Sequence, residues 1–253
     1  MGLWSSIKNA AKKVWQKTKA VARTISRVIV ELVGRVLGIV DLLLGFAAWP
    51  PKKLRLHVVI LSQDVPPPPV ITISTTTDVT IKTLTPIVNP TDLTASIDFA
   101  RQHLKDKFNI KLLPYSSEFV QVDNSIAPSE ALNVSCGSGA LGNEYGTAGE
   151  FFAKRLAGWN VIPISLVFPI TVFVVSNVID KQGCSLGPLS DYITIDPDGI
   201  ASQTTLMHEI GHSCGLWHSQ SQSNIMYSNS SRGSGVKWFQ KNLLRSSRHV
   251  MYW

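Results

Sequence analysis

Apolar residues fall at Trp4, Ile7, Ala11, Val14, Val21, Ile25, Val28 and Leu32, alternating three and four apart with one break at Thr18. That period lays them along one side of an α-helix, and the reading extends over residues 1–49. "WPPKK" at 49–53 ends it, because consecutive prolines lack amide donors and restrict the residue before them. "LRLHVVIL" (Leu54–Leu61) is largely apolar and β-branched, as a buried strand would be. "PPPP" at 66–69 reads as a stiff spacer, and "VITISTTTDVTIKTL" as a hairpin or edge ribbon. "NPTDLTASIDFARQHLKDKF" predicts a helix capped by Thr91 or Asp92, with Leu93, Ile97, Ala100, Leu104 and Phe108 on one stripe. Short strands are expected at "NIKLLPY" and "EFVQV", and a short helix at "GTAGEFFAKRLAGW" stopped by Gly158. "ITVFVVSNVI" and "DYITID" are strands, "PDG" at 197–199 turns the chain into another helix, and "VKWFQKNLLRSSRHVMYW" begins as a helix. Strands interleaved with helices predict an α/β domain over residues 50–253, built on a mostly parallel twisted sheet.

Composition agrees: 253 residues, 44% hydrophobic and 16% charged, can bury one large core and carry an appendage. The charge changes the picture more. Lys8, Lys12, Lys13, Lys17, Lys19, Arg23 and Arg27, with no acid among residues 1–27, account for the whole formal excess of +7. Residues 28–253 are therefore balanced, which argues against a basic nucleic-acid groove in the domain. A basic helix with tryptophan on its apolar side suits an anionic membrane surface instead. Crossing the bilayer is unattractive. Residues 28–49 carry Glu31, Arg35 and Asp41, each costing roughly 2.5–3.5 kcal/mol near the centre of a span. Gly45 and Ala47 are small at the positions a signal peptidase reads, and "MGLWSS" fits acylation at Gly2. Residues 1–49 are thus expected to be a membrane-surface, targeting or pro-segment of a secreted or membrane-associated protein. The bland alternative is a helix that packs on its own domain. Cys136 and Cys184 lie in glycine-rich contexts and suit one disulfide, with Cys214 a buried thiol; three unpaired thiols is the competing reading.

The densest chemistry is "TTLMHEIGHSCGLWHSQSQSNIMYSN", which gathers three of the six histidines within eleven residues. His208 and His212, four apart, share a helix face one turn apart, so both imidazoles can reach one zinc ion. Glu209 sits at the flank of that face, where it can serve as general base towards water without being a ligand. A continued helix would swing His218 away from the metal. Gly215 allows the left-handed turn that ends the helix and returns His218 to the ion. Three protein ligands leave a fourth position open for chemistry.

This string, HExxHxxGxxH, resembles the metzincin zinc endopeptidases, and the stretch after it looks most like the matrixin type. Ser219 follows the third histidine, and Met226 comes eight residues after it with Tyr227 directly behind. The resemblance implies His208, His212 and His218 as zinc ligands, Glu209 as general base, and Met226 as a hydrophobic floor that does not bind metal. It also implies the metzincin-like fold: a twisted sheet, a backing helix, an active-site helix and a small irregular lobe after His218. Tyr227 is expected to line a substrate pocket rather than to hold an oxyanion. Several family features are absent: no proline-arginine-cysteine latency motif precedes the domain, and His57, His103 and His249 are too scattered for a second zinc site. Asp196 and Asp198 in "IDPDG" suit a turn and helix cap better than a calcium site. The expected activity is cleavage of internal peptide bonds of extended protein substrates by a monomeric enzyme. The substrate would pair with an edge strand, for which "ITVFVVSNVI" is the candidate. The alternative function is a membrane-perturbing or interaction protein acting through its N-terminal helix, with the zinc domain as scaffold.

Overall fold

In the computed structural model the described residues are 14–15, 18, 21–22, 24–36, 50–65, 83–136, 146–156 and 169–252. The expectations for Gly2, Gly45, Ala47, the tetraproline, most of the threonine ribbon and Gly158 lie outside them. Ten strands follow in chain order: β1 (Lys52–Val65), β2 (Thr83–Pro86), β3 (Ile110–Pro114), β4 (Val120–Ile126), β5 (Asn133–Ser135), β6 (Ile170–Val174), β7 (Asn177–Ile179), β8 (Gly183–Ser185), β9 (Tyr192–Ile195) and β10 (Val250–Met251). β1 is the hub of the main sheet. It pairs in parallel with β3, β4 and β6, and antiparallel with β2 and β10. β9 runs parallel to β6, and β8 closes the path as an antiparallel edge on β9. β5 and β7 form a separate parallel pair.

The strand patterns explain why this sheet is buried on both faces. Side chains alternate across a strand. Leu56, Val58 and Ile60 of β1, Val172 and Val174 of β6, and Ile193 and Ile195 of β9 therefore share one core with the backing helix Thr94–Phe108 and the histidine helix Thr205–Ser213. Val59, Leu61, Phe173 and Tyr192 point the other way, into a second core with Phe151 and Phe152 from the short helix Thr147–Ala153. Each fully buried leucine or phenylalanine contributes about 1.5–3 kcal/mol to that arrangement. The backing helix buries the stripe Ile97, Ala100, Leu104 and Phe108 and ends at Asn109 in a left-handed conformation. Its start differs from expectation. A 3₁₀ turn, Pro90–Leu93, precedes it, and the Asn89 amide donates to Asp92 Oδ2 at 2.9 Å, so capping begins before Thr91. The sheet corrects a second expectation: Ile170–Val174 is no edge. It lies between β1 and β9 with every residue buried, and β8 is the edge.

Residues 24–36 are helical and dock on the domain through polar side chains. Arg27 is 2% exposed and gives its Nε to Asp191 at 2.9 Å; Asp191 also pairs with Arg248 Nη1 at 2.5 Å. Glu31 accepts from the Arg248 amide at 3.2 Å and pairs with Arg35 at 2.5 Å. Arg35 in turn donates to the Leu243 carbonyl, to Ser246 Oγ at 2.8 Å and to the Cys214 carbonyl at 2.9 Å. The apolar side looks outward: Ile25, Ile29, Leu32 and Val36 are 56–63% exposed. Among the described residues no helix is long and apolar enough to cross a membrane.

Candidate functional site

Asp196 opens the approach to the site. Its Oδ1 accepts the Gly199 amide at 2.8 Å and caps the short helix Pro197–Ala201, the capping role that its sequence context favours over calcium binding. The histidine helix follows and closes at Cys214. Gly215 takes φ +87°, its amide bonding the His212 carbonyl while the Leu216 amide reaches back to Gly211, both at 2.9 Å. This left-handed closure carries His218 round to the other two histidines.

The three Nε2 atoms converge. His212 Nε2 lies 3.0 Å from that of His208 and 3.2 Å from that of His218, and the three donor atoms all fall within 4.8 Å of one another. A carbonyl can only accept. His208 Nδ1 therefore donates to the Ile225 carbonyl at 2.9 Å, and His212 Nδ1 to the Leu216 carbonyl at 2.8 Å. Both Nε2 lone pairs are thereby left free to ligate, with ring orientation fixed from behind. Burial favours the neutral rings, depressing His208 to about 3 and His212 to about 4. Three neutral imidazoles that share one focus fit a zinc ion by type and number.

Met226 is fully buried, and a Cβ built on Gly211 would come within 2.5 Å of its sulfur. Glycine between the two helical histidines is what lets the methionine lie against the helix. The methionine turn is locked by Ser219 N to Met226 O at 2.8 Å, and by Asn224, which accepts the Met226 amide and bonds Gln240. Glu209 is buried, which pushes its carboxyl up to about 7 even though Arg232, Lys181 and the Ser185 amide pull it down. Gly183 of β8 packs on it so closely that a Cβ there would meet Glu209 Cγ at 3.0 Å.

These groups open onto a cleft of about 700 Å³, lined among others by His208, Glu209, His212, His218, Gly183, Lys181 and Arg232. Cys136 and Cys184 are joined in a disulfide on its wall; Cys214 is a buried free thiol raised to about 12 by burial. Tyr227 is half-buried, and its carbonyl accepts from Arg232 Nε at 3.1 Å, tying the residue behind the methionine to a cation of the cleft wall. Sequence reasoning passed over Gly211, Gly183, Lys181 and Arg232. The glycines occupy unspecified positions of patterns, and the cations become visible only once β8 and the loop after Met226 face one another.

The matrixin family model matches residues 96–239, more than half of the chain. No curated protein matches the sequence. Among solved structures, metalloproteinase-II from Bacteroides fragilis aligns at a TM-score of 0.45 with 13% identity, over 76% of this chain and 53% of that one. The chain thus spans about half the length of that protein.

Proposed function

This chain belongs to the matrixin family of zinc metallopeptidases, and on that premise we propose that it is an endopeptidase in which Glu209 moves the protons. The observation that carries the reading is the convergence of three imidazole nitrogens beside one buried carboxylate. His208, His212 and His218 would hold the zinc, which when bound supplies Lewis acidity to the scissile carbonyl and to water. Glu209 takes the proton of the attacking water and delivers it to the departing amine. Burial raises the basicity of the carboxylate, which favours its taking a proton from water. The free edge of β8 supports an extended substrate, because its outer backbone groups are unpaired by any described strand and Gly183 stands directly beside Glu209. Glu209→Ala is expected to retain zinc by metal analysis while peptide hydrolysis falls by at least about 10³-fold. Hydrolysis at the original rate would refute the assignment.

A second reading concerns residues 1–49. The outward apolar row on residues 24–36, together with the basic stretch before it, supports attachment to an anionic lipid surface with the domain seated above. The full chain should then sediment with phosphatidylglycerol vesicles and not with phosphatidylcholine alone, and Ile29→Asp with Leu32→Asp should release it. Equal recovery in the supernatant of both vesicle types counts against lipid attachment.

A further inference from the structure

From the cleft we infer a subsite for an acidic side chain of the substrate, formed by Arg232 with Lys181 beside it; this rests on the peptidase reading above. Arg232 is held from behind. Its Nε donates to the Tyr227 carbonyl at 3.1 Å, and its Nη1 to Thr205 Oγ1 at 3.2 Å. Those two bonds use two of the five N–H groups of a guanidinium. No carboxylate lies within ion-pair distance of Arg232 among the described residues, although it is only partly exposed. A half-buried cation with no carboxylate in direct contact is unusual, because removal from water is normally offset by a partner charge, and Glu209 acts on Arg232 only from beyond ion-pair distance. Lys181, on the loop between β7 and β8, is a second cation on the same cleft, likewise without a carboxylate partner among the described residues.

The charged groups facing this space are Asp180, Lys181, Glu209 and Arg232, with the three histidines as the neutral floor. Asp180 is exposed, with a left-handed φ of +60°. Glu209 is committed to the water. Thr205, which anchors Arg232, lies one helical turn before Glu209, and a Cβ built on Gly183 would crowd both residues. A peptide laid along β8 therefore places one side chain, close to the bond being cut, in front of the free edge of the guanidinium. A glutamate or aspartate there completes the fork with two parallel N–H···O bonds. An uncharged amide can satisfy part of the hydrogen bonding and none of the charge.

The test uses the zinc-loaded full chain. Cleavage sites in an unfolded protein are mapped by mass spectrometry, and paired fluorogenic peptides are made with Glu or Gln at the enriched position. The expected result is an acidic residue enriched within two positions of the scissile bond, with a Glu-to-Gln ratio in kcat/KM of about tenfold or more. The ratio should shrink as salt is raised. Arg232→Met should bring it close to one, Arg232→Lys should keep part of it, and Lys181→Gln should reduce it modestly. The inactive Glu209→Ala protein gives a reading free of turnover: it should bind the Glu peptide more tightly than the Gln peptide, measured by anisotropy. Equal ratios in wild type and Arg232→Met, or equal binding of the two peptides, would overturn the subsite while leaving the peptidase reading intact. Failure of the zinc-loaded wild type to cut any peptide would instead overturn the peptidase reading and, with it, this inference.

Discussion

Gly215 shows how much one backbone angle carries here. Its φ of +87° costs a residue with a Cβ roughly 1–2 kcal/mol, and the added methyl would also run into Arg35 Nη2. Gly187 shares the strain, at φ +80°, but has nothing within 4 Å of a built Cβ. Gly187→Ala should therefore lose only about 1 kcal/mol in thermal denaturation and keep its zinc. Gly215→Ala should lose more and bind zinc more weakly in a competition titration, because its turn delivers His218. Comparable zinc affinities in the two variants would show that the turn does not govern the third ligand. The spacing of His208, His212, Gly215 and His218 was readable because one ion imposes it on a helix and its end. Gly211 was not, since its partner Met226 lies fifteen residues on and only the closed turn brings its sulfur to the helix.

Elements were legible where burial leaves a period and illegible where order in space decides. The leucine and phenylalanine stripe of Thr94–Phe108 and the β-branched runs of β1, β6 and β9 announced themselves. That β6 is central and β8 the edge could not be read from residues 170–179, because a fully apolar run says only that both faces are covered. The run "SRHV" at 247–250 carries no period of its own for a related reason: Arg248 meets Glu31 and Asp191, partners 217 and 57 positions away. Asp191 is the hinge of that polar seam, hydrogen-bonded by Arg27 and ion-paired with Arg248 while itself buried. Asp191→Asn leaves two guanidiniums facing each other, at an expected cost of about 3–5 kcal/mol. It should also loosen residues 24–36, so trypsin cuts at Arg27 and Arg35 should appear earlier in a digestion time course. An unchanged time course would mean that the helix is held by other contacts.

At the scale of the molecule, titration should set an acid limit on the fold. Burial holds His103 near 4, with Lys107 adding to the fall and Asp106 opposing it, and its Nε2 has no partner among the described residues. The unfolded chain takes up that proton near 6.5 and the folded chain only near 4, so stability drains away as pH drops across that window. Asp191 acts lower. Burial alone would raise it, but Arg248 and Arg27 outweigh burial and hold it well below the usual carboxylate range. Its contribution is complete above the ordinary value of about 4 and is lost only as pH falls beneath that. Zinc-free protein melted from pH 7 to pH 4 should lose stability on balance, with the raised Glu209 carboxyl opposing the histidines because it takes up its proton first in the fold, and His103→Phe should flatten part of the slope by roughly 2 kcal/mol. A parallel slope in that variant would assign the loss to His208 and His212, which are depressed in the same direction.

The helix of residues 24–36 inverts the usual division of labour, with ions inside and oil outside. Repainting Ile25, Ile29, Leu32 and Val36 with serine or glutamine should therefore leave the melting point nearly where it stands, whereas in an ordinary amphipathic helix the same four changes would unravel the contact. Whatever that greasy rail grips can be tuned by mutation without disturbing the seam beneath it. A hydrophilic version of the enzyme should come from its surface alone.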